Sequence, residues 1–576
     1  MYVRYFMWNF VGRYNDNDGQ TSMAGLDGNW TSGLFDSFRH LPKSVSESVS
    51  YAPLYGLPLI LGLLGMYYHF KKKKRDAFVI TLLWFFMGIA IVLYVNQPSV
   101  QPRERDYSYV GSFYAFAIWI GLGVVGLADI LKKWLKEKIA VNTAIILCLL
   151  CVPLLMAVKE WRGHDRSTKL VAHDMAYNYL ISCPPNAILF TYGDNDTYAL
   201  WYAQEVENIR PDVRLVNLSL FTSDWSVRQM QRKVNKSEPL PITMLYDKYK
   251  EGVRDVISFS DANIPGHSEI KDVFDFITSD DERTHVEYGS GMIANYLPTK
   301  HFKLTVNADD VRRNKVLAPG QMNSMADTLI WTYNSNIIMK NNLAMIDILA
   351  HNKWERPVCF TVTAGLSHAI GLEKYLYREG FVFRLLPLKP DTTVEDEGAK
   401  INSLVMYDIV MNKFKFGNYK QATYLDQQSV TMFYPVLTTT FMTLVDGLMA
   451  EGRNGMALKV LRKFDEVMPD INPFIDVAAR KSFMAESAYR LGDTKLGNRF
   501  VGYVDDYLVD EINYNYTLYK DKSELLDTRM VRFGVHIINN MAGYAKAANQ
   551  TALATKLEEQ VKDYEAKFKG IMAGVE

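Results

Sequence analysis

Four apolar stretches crowd the first third of this chain, at residues 52–69, 77–96, 113–131 and 139–158. Each is about 18–20 residues long, close to what a helix needs to cross a hydrocarbon layer of roughly 30 Å. Nothing comparable follows Trp161. The pattern predicts four transmembrane helices carrying about four hundred water-exposed residues. Mean hydropathy near zero averages these two unlike parts.

The flanking charges give an orientation. Residues 71–75 (KKKKR) fill the first short loop, and Lys132, Lys133, Lys136 and Lys138 fill the third. The loop between them holds only Arg103 and Arg105. By the positive-inside rule, loops one and three face the cytoplasm and both termini lie outside. Lys159, Arg162, Arg166 and Lys169, after the last span, pull the other way. The first residues (YVRYFMWNF from Tyr2) lack the basic and apolar regions of a signal peptide.

Lys plus Arg and Asp plus Glu both number 64, and this balance argues against a nucleic-acid partner. Of four cysteines, Cys148 and Cys151 fall in the last apolar stretch and read as small apolar residues. Cys183 and Cys359 lie in the polar body, where a disulfide is one arrangement an oxidising compartment permits.

Five segments follow from composition: an extramembrane segment at 1–50, the helical membrane region at 51–161, an α/β domain at 162–388, a linker at 389–400, and a helical region at 401–576. In the α/β domain, helical periodicity at 170–181 precedes a strand-length run at 187–192 (AILFTY). Turn chemistry (GDNDT), a helix at 198–208 and a second strand at 213–220 follow. This is a β–turn–α–β unit with parallel strands. A looser unit recurs as helix 341–351, strand 357–363, helix 372–379 and strand 381–386. Residues 225–340 show no clear order. In the helical region, Gly417, Gly452 and Gly492 are each followed five residues later by Ala or Gly, at intervals of 35 and 40 residues. A tetratricopeptide unit is about 34 residues long with such a turn glycine and small packing residue.

Several motifs could carry chemistry. Residues 121–126 (GLGVVG) match a dinucleotide fingerprint, but inside an apolar span they read instead as small residues letting two helices approach. Residues 15–19 (NDNDG) lack the acidic spacing of a calcium loop and read as a turn. On the loop between the second and third spans, Arg103, Arg105 and Tyr107 suit a lipid-linked phosphate at the membrane surface. The alternative is a salt-bridged hairpin. Residues Asp194, Asn195 and Asp196 follow a strand and precede a helix, where α/β sheets bind ligands. They can contact sugar hydroxyls or a divalent cation, or simply form a turn and helix cap. Histidines form no zinc-binding pair, and neither a GxSxG elbow nor a phosphate-binding GxxxxGK loop occurs. No catalytic residue or metal ligand is assigned.

The strings at 5–12 (YFMWNFVG), 102–118 (PRERDYSYVGSFYAFAI) and 185–220 (PNAILFTYGDNDTYALWYAQEVENIRPDVRLVNLSL) resemble a family of bacterial membrane proteins that carry a domain of unknown function and are similar to protein O-mannosyltransferases. The resemblance runs over nearly the whole chain and is weakest in its helical C-terminus. It implies a GT-C glycosyltransferase architecture, a polyprenyl-phosphate sugar donor, and an exported polypeptide or glycan acceptor. It also implies a multi-pass protein of the bacterial inner membrane with a large periplasmic C-terminal region. Family members carry a longer N-terminal multi-span region that holds the expected acidic catalytic residues. This chain corresponds to the C-terminal half, so no catalytic position carries over and a separate multi-span half is an expected partner. The alternative is a non-catalytic anchored adaptor that binds envelope proteins through its helical repeats.

Overall fold

The computed structural model describes residues 2–15, 30–34, 41–96, 106–287, 291, 293–390, 400–421, 429–468, 475–521 and 526–572. They fall into two compact units. One comprises Met1–Lys169, Lys420–Thr431 and Pro469–Glu576; the other comprises Leu170–Tyr419 and Met432–Met468.

In the first unit, three of the four apolar stretches become helices long and apolar enough to cross a membrane: Lys74–Val95, Tyr107–Leu131 and Glu137–His164. The remaining stretch forms α1 (Leu57–Lys72), only 16 residues long. Its expected start is taken by the strand Ala52–Pro53, which pairs with Gly12–Arg13, and by a turn at Gly56 with φ of 69°. Among the described residues the spans by length and composition therefore number three, not four. The last one contains Pro153, which has no N–H to donate and crowds the preceding turn. The helix widens there to a π turn over Leu150–Leu154.

Helix α1 packs along α2 (Val110–Leu131) at unusually close range. A Cβ on Gly65 would stand 1.7 Å from the Trp119 carbonyl oxygen, and one on Gly123 would stand 2.3 Å from that of Leu61. The GLGVVG string thus lies inside α2 as a helix-packing surface. Phe6 and Phe10, on the helix Tyr2–Phe10, pack against Phe116 of α2, with ring centroids 4.9 and 4.6 Å apart.

The rest of this unit is helical. The pair Ile475–Arg490 and Thr494–Asp521 turns at Gly492 (φ 81°). The pair Thr528–Ala547 and Thr551–Lys567 turns at Asn549 (φ 58°). Glu511, in the second of these helices, accepts a hydrogen bond from the Ser44 hydroxyl, and Asp510 accepts one from the Lys43 amide at 2.5 Å. Burial, reinforced by the negative charges of Asp510 and Asp527, pushes the Glu511 carboxyl from 4.5 up to about 7. An acid with a raised pKa in the fold favours folding fully below its unfolded pKa. That contribution is lost as pH rises toward the folded value. Stability of this unit should therefore fall between pH 4.5 and about 7, by up to about 3 kcal/mol. Glu511→Gln should flatten that slope, as read by thermal melts across the range. An unchanged slope would reject this origin.

The second unit is built on a six-stranded sheet. Its strands are β1 (Ile188–Thr191), β2 (Arg214–Asn217), β3 (Val358–Thr361), β4 (Leu376–Glu379), β5 (Val382–Leu385) and β6 (Lys400–Ile401), in the order β6-β4-β5-β3-β1-β2. β1 runs parallel to both β2 and β3, and β5 is antiparallel to β3 and β4. The first β–turn–α–β unit keeps its two parallel strands, but its helix, expected at 198–208, begins four residues earlier at Asp194, inside the GDNDT string, and ends at Glu205. The second unit does not form: residues 376–379 form a strand, not a helix. Gly380, at φ 66°, turns the chain back on itself, and β4 and β5 pair as a hairpin.

Helices cover both faces. α3 (Val171–Ser182) and α4 (Asp194–Glu205) pack together on one side, where Thr197 of α4 meets Thr191. α5 (Lys340–His351) shares the opposite core with Ile188, Phe190, Val358 and Phe360. Within residues 225–340, three small sheets form from pairs such as Val256–Ser258 with Ile337–Met339 and His301–Thr305 with Thr328–Thr332. Helices Tyr434–Ala450 and Asn454–Val467 also belong here and turn at Gly452 (φ 71°). Residues 422–428, which the first repeat interval needs, lie outside the described residues.

Candidate functional site

β1 connects forward to α4 on one face, while β3 is entered from α5 on the other. The carboxyl ends of β1 and β3 therefore flank the point where the connections diverge. A crevice opens there in parallel sheets, and ligands bind in it. Chain direction at this point depends on Gly193, whose φ of 83° and ψ of 177° suit a residue without a side chain; a Cβ would meet nothing within 4 Å, so the demand is conformational.

Hydroxyls and amides lock the turn. Thr197 donates from its hydroxyl to the Gly193 carbonyl at 2.7 Å, and the Thr191 and Thr197 hydroxyls lie 2.7 Å apart. Asn217, at the end of β2, donates from Nδ2 to the Gly193 carbonyl (3.1 Å) and to Thr197 Oγ1 (2.9 Å). Its Oδ1 accepts from the amides of Ser219 and Leu220.

Asp196 turns inward from the first turn of α4 and is 6% exposed. Its carboxylate accepts from the Thr363 hydroxyl, just beyond β3. The Tyr179 hydroxyl lies 3.0 Å from Thr363 Oγ1 and can donate to it, giving a relay Tyr179–Thr363–Asp196. Burial pushes the Asp196 carboxyl up, against the lowering pull of the Thr363 hydrogen bond. Burial also drives the Tyr179 phenol well up, and the Asp196 charge adds to it. The sequence singled out Asp196 but missed Tyr179, Thr363 and Asn217. Asn217 and Thr363 stood at or just past the ends of expected strands, whereas Tyr179, inside α3, carried no local signal.

Asp194 and Asn195 face solvent rather than joining Asp196. Among the described residues no three His, Cys, Asp or Glu side chains gather as a metal would require, and the two aspartates do not fit a shared cation. Tyr192 and His368, with ring centroids 4.2 Å apart, stand beside the crevice. Arg103 and Arg105 lie outside the described residues; Tyr107, in the short turn Asp106–Tyr109 before α2, is 60% exposed. Cys183 and Cys359 are buried free thiols in contact. Burial first, and Cys183 second, push the Cys359 thiol well up.

The family-model match falls on this unit. Residues 172–405 match the family model described as TMEM260-associated domain 2. That segment opens in α3 and closes just past β6. The mouse protein named Protein O-mannosyl-transferase TMEM260 is 38% identical over 175 residues, which cover 28% of this chain. The match spans only 24% of the mouse protein's length. No solved structure matches the chain. Apolar helices of membrane-spanning length thus accompany an α/β unit similar to the second TMEM260-associated domain, and the chain is related in part to a protein O-mannosyltransferase.

Proposed function

We propose that this chain serves a membrane glycosyltransferase of the O-mannosyltransferase kind, with its α/β unit recognising the acceptor. The similarity of residues 172–405 to a domain associated with such an enzyme carries this reading. In it, the 16-residue α1 crosses the bilayer as a fourth span, and both termini lie outside the cytoplasm. The resemblance to bacterial membrane proteins sets the chain in a bacterial envelope, and the flanking charges then put the α/β unit in the periplasm. A polyprenyl-phosphate sugar is the donor, its phosphate held by Arg103 and Arg105 beside Tyr107. The acceptor's polar groups enter the crevice and meet Asp194, Asn195 and Asp196. Asp196 combines a carboxyl raised by burial with a place at the crevice, and that combination marks a candidate working site. A multi-span half supplies the acidic catalytic residues.

The test compares wild-type, Asp196→Asn and Arg103→Gln/Arg105→Gln chains in cells lacking the native copy. Mass spectrometry of exported proteins reads O-linked sugar. Each variant should lose roughly tenfold or more of the modification at normal protein abundance. Unchanged modification by both would reject the reading.

The helical hairpins Ile475–Arg490/Thr494–Asp521 and Thr528–Ala547/Thr551–Lys567 support a second reading, a non-catalytic adaptor that docks envelope proteins through tetratricopeptide-like repeats. Affinity capture that yields envelope machinery without any multi-span glycosyltransferase would favour it.

A further inference from the structure

Away from the crevice, a cavity of about 550 Å³ opens between α4, the start of β2 and the helix Asp224–Met230. Its size falls within the range that small-molecule sites occupy. Trp201 and Trp225 line it, the latter 53% exposed, together with the side chains of Gln204, Gln229 and Asn235. Arg214, the first residue of β2, also lines it and is only 4% exposed.

The bonding of Arg214 is incomplete. Its Nη2 donates to the carbonyls of Gln229, Met230 and Arg232, and its Nε to Met230 Sδ at 3.3 Å. Those are neutral acceptors that finish a helix end. Its Nη1 is buried and has no hydrogen-bond partner among the described residues. Arg214 forms no ion pair with a carboxylate among the described residues either. A buried guanidinium left without a counter-ion is unfavourable. Its charge also reaches Arg356, whose Nη2 donates to Ser237 of the cavity wall at 2.9 Å; burial, then Arg214, bring Arg356 down to about 10. Next to this cavity, and sharing Trp225 and Gln229 with it, a pocket of about 290 Å³ carries Arg228 and Arg232. Among the described residues, the one carboxylate lining the larger cavity, Glu205, is occupied at its rim by the Asn235 amide at 2.7 Å.

We infer that this cavity binds a sugar residue bearing an acidic group, with the ring against Trp225 and the carboxylate or phosphate directed at Arg214. Flat aromatic faces take the apolar face of a sugar ring, and amide side chains take its hydroxyls. Guanidinium groups pair carboxylate and phosphate oxygens two at a time, which a neutral sugar does not offer. The inference stands apart from glycosyl transfer, because binding here is read without any transfer.

The experiment uses the full chain in lipid nanodiscs and saturation-transfer NMR. Four probes are compared: methyl glucuronide, glucose 6-phosphate, methyl glucoside and inorganic phosphate. At least one of the two acidic sugars should bind roughly tenfold or more tightly than methyl glucoside and than phosphate alone. Trp225→Ala changes an exposed residue and should keep the melting temperature while weakening binding roughly tenfold. Arg228→Gln/Arg232→Gln should also weaken it without unfolding the protein, so the test does not depend on a variant of the buried Arg214. Equal binding of the neutral sugar overturns the acidic requirement, and equal binding of phosphate overturns the sugar. Absence of binding by both acidic sugars, or full binding by Trp225→Ala, overturns the site.

Discussion

Gly65→Leu should unseat α1 from α2 and remove about 3 kcal/mol or more from the first unit. Overpacking a core usually costs about 1–3 kcal/mol because neighbouring side chains can shift. At Gly65 the obstacles are main-chain atoms: the Trp119 carbonyl oxygen at 1.7 Å and the Gly123 nitrogen at 2.5 Å from the added Cβ. Neither can rotate aside, so the helices must separate. They then lose the contact of α1 with the ring-packed surface around Trp119, which is 1% exposed. Small residues at such crossings are what allow apolar helices to pack tightly where no hydrophobic drive separates lipid from protein. Gly121→Leu is the matched control, because a Cβ there meets nothing within 4 Å. The check is thermal aggregation in detergent, followed by size-exclusion chromatography. Equal stability of the Gly65 and Gly121 variants would contradict the close approach.

Asp347→Ala should cost about 3–5 kcal/mol in the second unit. Asp347 is fully buried on α5 and accepts four hydrogen bonds: from the Thr243 amide and hydroxyl (both 2.8 Å), the Met244 amide (3.0 Å) and His351 Nδ1 (2.8 Å). Truncation leaves the buried Met244 amide and the half-buried Thr243 amide without acceptors and opens a space beside them. Burial pushes the Asp347 carboxyl up, so its ionised form is held only by these donors. Asp347→Asn retains one acceptor oxygen but turns an NH2 group toward a donor, so it should fall between wild type and Asp347→Ala. Chemical denaturation of the full chain, followed by tryptophan fluorescence, measures the order. Asp347→Ala with wild-type stability would remove Asp347 as the tether of residues 243–244.

The β1–turn–α4–β2 unit was legible because its signals are local: a four-residue apolar run, a glycine where φ must be positive, and a helix whose first turn is acidic. The close packing of α1 on α2 was legible for a similar reason, as glycine spacing survives in the string itself. What misled was also local. Residues 372–379 have helix-like spacing, yet Gly380 makes a hairpin that the sheet rewards. The apolar run at 52–69 is long enough to span, yet its first residues pair with Gly12–Arg13 some forty positions earlier. The same limit hid half of the crevice. Asp196 and Thr363 are 167 positions apart, and no pattern near either one reveals the other. Strands at 256–258 and 337–339 pair across about eighty positions, which is why residues 225–340 looked shapeless.

The placement of β3 beside β1 bears on how the protein is made. A ribosome delivers β1 and β2 long before β3, so for that interval Ile188, Leu189 and Phe190 present an unsatisfied edge to whatever surrounds the nascent chain. The crevice cannot assemble until Thr363 has emerged. Any factor that shields extended apolar segments during synthesis or export therefore acts on this unit before its binding surface exists.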